Sequence, residues 1–273
     1  MSIDINQVFI NQSCHFDDFE NNRTTIRIAS DGLSVFVSND SNNVYFASSY
    51  RWAQSSQKSM IEILNQVKEQ DPWLVNLNSK LTVLLDDDGF IHIPNELFDE
   101  QNLHTYLQDQ VDIDKFAEGQ LFYNTQKNIT GVFIINKKLV QEVKEVFKDA
   151  EITSYSNALL KFSDSIKHVG KSCTVLLSIN NFYFDMVVKK RGQLYFFNRF
   201  QFTTKEDFIY FIIMTLQKLE IISSDVEIAI IGKIESQSSL NELIRRYFED
   251  VRFAIPEKEC SWDYHRYCVE QNY

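Results

Sequence analysis

Along the chain, apolar positions first alternate with polar ones, then recur at helical spacing, then alternate again. Thr24-Thr-Ile-Arg-Ile-Ala29 reads as a strand, and Ser30-Asp31-Gly32 as the turn after it. Leu33 to Ser38 alternates as a second strand. Asn39 to Asn43 is a run of turn residues, and Val44 to Tyr50 a third strand. Ile61, Leu64 and Val67 recur at the spacing of a helix over 59–68. Lys80 to Leu85 is a continuous apolar run of strand length, ended by Asp86-Asp87-Asp88-Gly89.

The same order returns. Cys173 to Ser178 reads as a strand, Ile179-Asn180-Asn181 as a turn, and Phe182 to Val188 as a second strand. Lys189-Lys-Arg-Gly192 is the next turn, and Gln193 to Phe200 the third strand. A strongly apolar helix is expected over 207–220, a fourth strand over 225–231 ending at Gly232, and a helix over 238–248. The spacing is nearly constant. Thr174 follows Thr25 by 149 residues, Leu194 follows Val44 by 150, and Val226 follows Leu81 by 145. Three strands, a helix, a strand and a helix, used twice in register, indicate an internal duplication. Between the halves a strand is expected over 131–135, a helix over 138–149 and a short strand over 152–155. A helix over 156–162 has Ser156 as its N-cap. Val251 to Ile255 reads as a last strand. Strands alternating with helices imply mixed sheets with helices on their faces. The expected domains are an extension over 1–23, a first subdomain over 24–150 and a second over 151–273.

Composition narrows the function classes. At 273 residues and 44% hydrophobic, the chain can bury a sizeable core. The net charge of −11 repels phosphate backbones and anionic lipid, which disfavours nucleic-acid and membrane-surface binding. Lys189-Lys190-Arg191 is the best candidate for a basic patch, and it reads as a solvated turn. The apolar stretch Phe208 to Leu216 is too short to span a bilayer, and Met1-Ser2-Ile3-Asp4 does not begin a secretory signal, so a cytoplasmic protein is expected. Cys14, Cys173, Cys260 and Cys268 lack the spacing of a disulfide framework and read as free thiols.

A β-β-β-α-β-α unit used twice resembles the actin-like ATPase superfamily, built on a duplicated ribonuclease H-like fold. Residues 149–160, 176–188, 192–200 and 228–232 are similar to its pilus and type II secretion assembly branch, and to an uncharacterised bacterial domain family of the same fold. The resemblance implies an α/β architecture of two ribonuclease H-like subdomains. It also implies a cleft where active members hold ATP on two hairpins, each with Asp-x-Gly at its turn. Here the first hairpin has Ala29, Ser30, Asp31 and Gly32, with Ala29 at the Asp position and Asp31 at the Gly position. The second has Ser178, Asn180 and Asn181, with Ser178 and Asn180 at those positions. The adenosine turn, which pairs glycines in active members, retains Gly232 followed by Lys233. Metal and phosphate positioning is most of phosphoryl-transfer catalysis. The expectation is therefore a nucleotide-free scaffold or adaptor with no cofactor, no catalytic residues and a protein partner. Homo-oligomers are compatible with it.

Two alternatives stand beside this reading. One is a divergent actin-like ATPase or sugar-kinase relative, for which Asp31 is the available carboxylate. The other is a nuclease, which needs acidic residues converging on two metals, a constellation the sequence does not present. Asp86-Asp87-Asp88-Gly89 reads as a turn rather than a cation site. Cys260, His265 and Cys268, with Cys14-His15, lack the close cysteine pair of a zinc site, and His92, His104 and His168 lack motif context. Phe182, Tyr183, Phe184, Tyr195, Phe196, Phe197 and Phe200 crowd one hairpin. Successive strand residues face opposite sides, so these rings make either a two-sided core or a partner surface.

Overall fold

The computed structural model describes residues 4–10, 22–30, 32–39, 44–52, 59–70, 80–166, 170–235, 237–254 and 268–271. The chain divides into two compact units. The first comprises Met1–Ala158 and Val269–Tyr273, the second Leu159–Cys268.

The first unit opens with β1 (Asp4–Ile10), β2 (Asn22–Ala29), β3 (Gly32–Asn39) and β4 (Val44–Arg51). Helix α1 (Met60–Gln70) and strand β5 (Lys80–Leu85) follow. An insertion then carries β6 (Gly89–Pro94), the short helices α2 (Leu103–Leu107) and α3 (Ile113–Glu118), β7 (Gly119–Gln126) and β8 (Ile129–Asn136). Helix α4 (Lys137–Val146), strand β9 (Glu151–Ser154) and helix α5 (Tyr155–Ser163) complete the run. The six-stranded sheet has the order β1-β4-β3-β2-β5-β9, and a separate three-stranded sheet the order β6-β8-β7.

The second unit contains β10 (Cys173–Ile179), β11 (Tyr183–Lys190), β12 (Gln193–Gln201), α6 (Lys205–Lys218), β13 (Val226–Gly232), α7 (Ser239–Tyr247) and β14 (Asp250–Phe253). Its sheet has the order β12-β11-β10-β13-β14. This is the order β4-β3-β2-β5-β9 over again. In each unit the first three strands pair antiparallel, and the last two run parallel to the first. The duplication read from spacing is thus present in the hydrogen-bonded topology.

Each sheet buries one face under helices. Ile26, Ile28, Val35, Val83 and Leu85 project to the side where Ile63, Leu64 and Val67 of α1 pack with Val140 and Val143 of α4. In the second unit Val175, Leu177, Ile228 and Ile230 meet Phe208 and Ile212 of α6 and Ile244 of α7. The insertion has its own small core of Ile93, Leu107, Val111, Val132 and Ile134. Full burial of each such side chain contributes about 1.5–3 kcal/mol.

Several boundaries differ from the sequence reading. Residues 4–10 form β1 and pair with β4, so they belong to the first sheet rather than to an extension. The units divide at 158/159 instead of 150/151, because the first turn of α5 hydrogen-bonds into the first unit. The N-cap of α5 is Ser154, whose Oγ accepts from the N–H of Asn157, and Ser156 lies inside the helix. Helix α6 begins two residues before Asp207. Thr204 caps it, and Asp207 closes a capping box by accepting from the Thr204 N–H. Lys189 and Lys190 lie in β11, which leaves Arg191 (φ 52°) and Gly192 (φ 79°) as the turn. Lys189 is buried and pairs with Asp164. Helix α8 (Cys268–Gln271) returns the chain to the first unit.

Candidate functional site

In open α/β sheets, ligands bind beyond the carboxyl ends of the parallel strands.

In the first unit, the end of β2 pairs Ala29 with Gly32 of β3, and Ser30 is exposed at the turn. Asp31 lies outside the described residues. A Cβ on Gly32 would fall 2.5 Å from the carbonyl oxygen of Tyr50, so glycine is needed here for the approach of β4. Two register pairs back, Arg27 is buried near the end of β2. Its guanidinium stacks over the ring of Tyr155, 3.4 Å from the centroid. Nη2 lies 3.4 Å from Oδ1 of Asp86 at the end of β5, and Nη1 lies 4.0 Å from Oε1 of Glu270 in α8. Ser34 of β3 donates to the same Glu270 oxygen at 3.5 Å. Burial pushes the Glu270 carboxyl above the usual carboxylate range, with Arg27 opposing the shift.

The aspartate run after β5 is divided among different partners. Asp86 meets Arg27. Asp87 accepts from the Ser156 N–H at 3.3 Å, and Asp88 lies 3.7 Å from Lys115. The polar contacts continue along α5. Asn157 donates to Thr153 Oγ1, and Gln126 of the insertion donates to Asn157 Oδ1 at 2.7 Å.

In the second unit, β10 and β11 are joined through Asn180, whose N–H donates to the Tyr183 carbonyl at 2.9 Å. Ser178 and Asn180 are buried and Asn181 is exposed. Gly232 sits directly beside this turn, paired with Ile179. Its φ is +95°, and a Cβ there would lie 2.2 Å from the Ile179 carbonyl oxygen. That same oxygen accepts from the Lys233 N–H at 2.7 Å. Ser178, Asn180 and Gly232 are therefore brought to one end of this sheet. The carboxylate next to Ser178 in the register is Asp185, at 0% exposure. Arg199 of β12 holds it with two prongs, Nε to Oδ1 at 2.7 Å and Nη2 to Oδ2 at 3.3 Å. Arg199 also lies 4.4 Å from the centroid of Tyr183.

Arg27, Tyr155, Glu270, Asp185 and Arg199 were not identified from the sequence, and Asp86 was read only as part of a turn. A legible signal existed for two of them. Arg27 interrupts Ile26 and Ile28, and Asp185 interrupts Phe184 and Met186, so each is a charge inside an apolar strand. Of the histidines, His92 is half-buried in β6, and the loss of hydration there lowers its pKa to about 4. His104 stacks edge-on to Phe116. Among the described residues no three His, Cys, Asp or Glu are grouped to hold a metal ion. Cys14, His15, His168, Cys260 and His265 lie outside the described residues, as does the side chain of Cys268. Cys173 is a buried free thiol whose pKa burial raises to about 11.

The family described as "Protein of unknown function (DUF3822)" matches residues 11–251. The chain belongs to this family. No curated protein sequence matches it. This member of the family has the actin-like fold. Its chain is similar to a Bacteroides thetaiotaomicron protein with actin-like ATPase fold and unknown function, at 22% identity and TM-score 0.75, over 87% of this chain and 92% of that one. It is also similar in fold to the PilM-PilN type IV pilus biogenesis complex, at 9% identity and TM-score 0.57, over 93% and 97% of the two chains. A third likeness is to the ethanolamine utilization protein EutJ from Carboxydothermus hydrogenoformans, at 6% identity and TM-score 0.51, over 92% and 88%. Among the described residues of this DUF3822 chain no helix is long and apolar enough to cross a membrane.

Proposed function

We propose that this protein is a nucleotide-free member of the actin-like fold that acts in the cytoplasm as a scaffold or adaptor between proteins. The observation that carries the reading is the charge state of the two hairpin ends. In each unit, carboxylates near the hairpin are held by an arginine of the sheet: half-buried Asp86 and buried Glu270 by Arg27, and buried Asp185 by Arg199. A metal-nucleotide site needs carboxylates facing the metal and open backbone N–H groups facing phosphate. Ala29 and Ser178 supply no carboxylate, while Gly32 and Gly232 serve close strand approaches. The fold is compatible with such work: the pilus protein PilM is described in complex with PilN.

Isothermal calorimetry of the whole chain with Mg-ATP tests the proposal. The expected result is no heat of binding at nucleotide concentrations up to about 1 mM, the weak limit near −4 kcal/mol. A micromolar dissociation constant overturns it.

A further inference from the structure

We infer that the face of the insertion at Leu97 and Tyr123 is a docking surface for a basic segment of a partner protein, one that carries large apolar side chains among its lysines or arginines. The inference rests on the adaptor reading and gives the chemistry of one partner.

Residues 80–166, which include the whole insertion, are described without a gap. Two single turns, Asn95–Leu97 and Glu100–Asn102, lead from β6 toward α2, and neither buries a side chain. Leu97 is 71% exposed, and Tyr123 of β7 is 41% exposed. A lone leucine in water is ordinary on a protein surface. This one stands on a tied platform. Half-buried Phe98 meets Tyr106 at 6.2 Å between ring centroids and Tyr123 at 5.2 Å. The Tyr106 hydroxyl donates to the Leu97 carbonyl at 3.1 Å and accepts from the Asp99 N–H at 2.9 Å. Asp99 in turn accepts from the Gln101 N–H at 3.0 Å and from the Asn102 amide at 2.8 Å. The backbone that presents Leu97 is therefore held from both sides, and a partner meets a surface that needs little further ordering.

The charge around this platform has one sign. From Pro94 to Asp114 the chain carries six acids, Glu96, Asp99, Glu100, Asp109, Asp112 and Asp114, and no lysine or arginine. All six are exposed, and among the described residues none of them is ion-paired. Tyr123 donates to Glu100, and that carboxylate holds the phenol above its ordinary range. The hydrogen bond fixes an acid at the border of the apolar patch. Apolar and aromatic side chains within a charged rim have the anatomy of an interface. An acidic rim complements a cationic partner and speeds its encounter. Nucleic acid and anionic lipid carry the same sign and are repelled. A second copy brings the same net charge of −11.

Fluorescence titration of the full chain with labelled amphipathic peptides of leucine and arginine, about twelve residues long, tests the surface. The expected dissociation constant is about 10–100 µM. Peptides with serine for leucine, or glutamate for arginine, bind about tenfold more weakly or worse. Leu97→Ser and Glu100→Lys each weaken binding about fivefold or more, whereas Glu242→Lys, the same charge change on an exposed residue of α7, alters it less than about twofold. Unchanged circular dichroism and melting show that the variants fold. No binding at about 1 mM peptide overturns the inference. So does a serine peptide that binds equally, or a Glu242→Lys loss equal to that of Glu100→Lys. A wild-type dimer in sedimentation that Leu97→Ser converts to monomer also overturns it, by giving the face to a second copy. Failure with the peptides removes this surface alone, because the adaptor reading falls to Mg-ATP binding.

Discussion

At the scale of single residues, the ion pair behind the second hairpin is the sharpest point of leverage. Asp185 is fully buried, and Arg199 supplies its charge partner. Arg199→Ala leaves that carboxylate buried without the guanidinium, and the expected loss is about 3–5 kcal/mol in urea unfolding. Replacing both, as Asp185→Asn with Arg199→Gln, is expected to cost less than the single change, because no charge is stranded. A single-variant loss below about 1 kcal/mol would contradict the burial argument. His92 gives a pH handle. Its folded pKa of about 4 lies below the ordinary 6.5. The unfolded chain therefore binds a proton the folded chain does not, and the stability present above the ordinary value is lost as pH falls from about 6.5 toward 4. The gap corresponds to about 3 kcal/mol. Melting curves across that window should fall with acid in the wild type and fall less in His92→Gln.

At the scale of elements, termini and turns decide most. Thr204 and Asp207 close a reciprocal cap on α6, the helix that covers the phenylalanines of the second sheet. Thr204→Ala is expected to cost about 1 kcal/mol in chemical unfolding. Gly170 and Gly232 make a matched pair for separating strain from contact. Both have positive φ, but a Cβ on Gly170 meets nothing within 4 Å, while on Gly232 it meets the Ile179 carbonyl. Gly170→Ala should therefore cost the backbone strain alone, about 1–3 kcal/mol, and Gly232→Ala clearly more, because the steric contact adds to the same strain. Strand existence and order were legible because strands such as Lys80–Leu85 and Cys173–Ile179 are apolar throughout or alternate cleanly. The three-stranded insertion was read only at β8, since β7 is half exposed and mixes Asn, Thr and Gln with its aromatics. The aromatic hairpin divides by pleat. Phe184, Phe196 and Phe200 enter the core, Tyr195 is exposed, and Phe182 is exposed in the turn before β11.

At the scale of the whole molecule, the family and the repeat agree, and the candidate site is where sequence reading reached least far. The resemblance placed Ala29 and Ser178 where acids are expected. It could not show Arg27 reaching Glu270, because that contact joins residues 243 positions apart in the chain. If the hairpin ends are neutralised internally, nucleotide should leave thermal stability unchanged. A ligand that binds the folded chain raises its melting point in proportion to occupancy. The expected shift with about 1 mM Mg-ATP is none, and a rise of several degrees would contradict the proposed function.

Helix α8 carries a consequence for how the molecule is made. Val269 and Glu270 are buried in the first unit, yet they leave the ribosome after the whole of the second unit. Domains generally fold in order of synthesis. Here the earlier unit cannot seal the polar face that holds Arg27 until the later one has been translated. The nascent chain must carry a half-covered charge through that interval, and stalling it just before Val269 should leave the first unit open to protease while the second is already resistant.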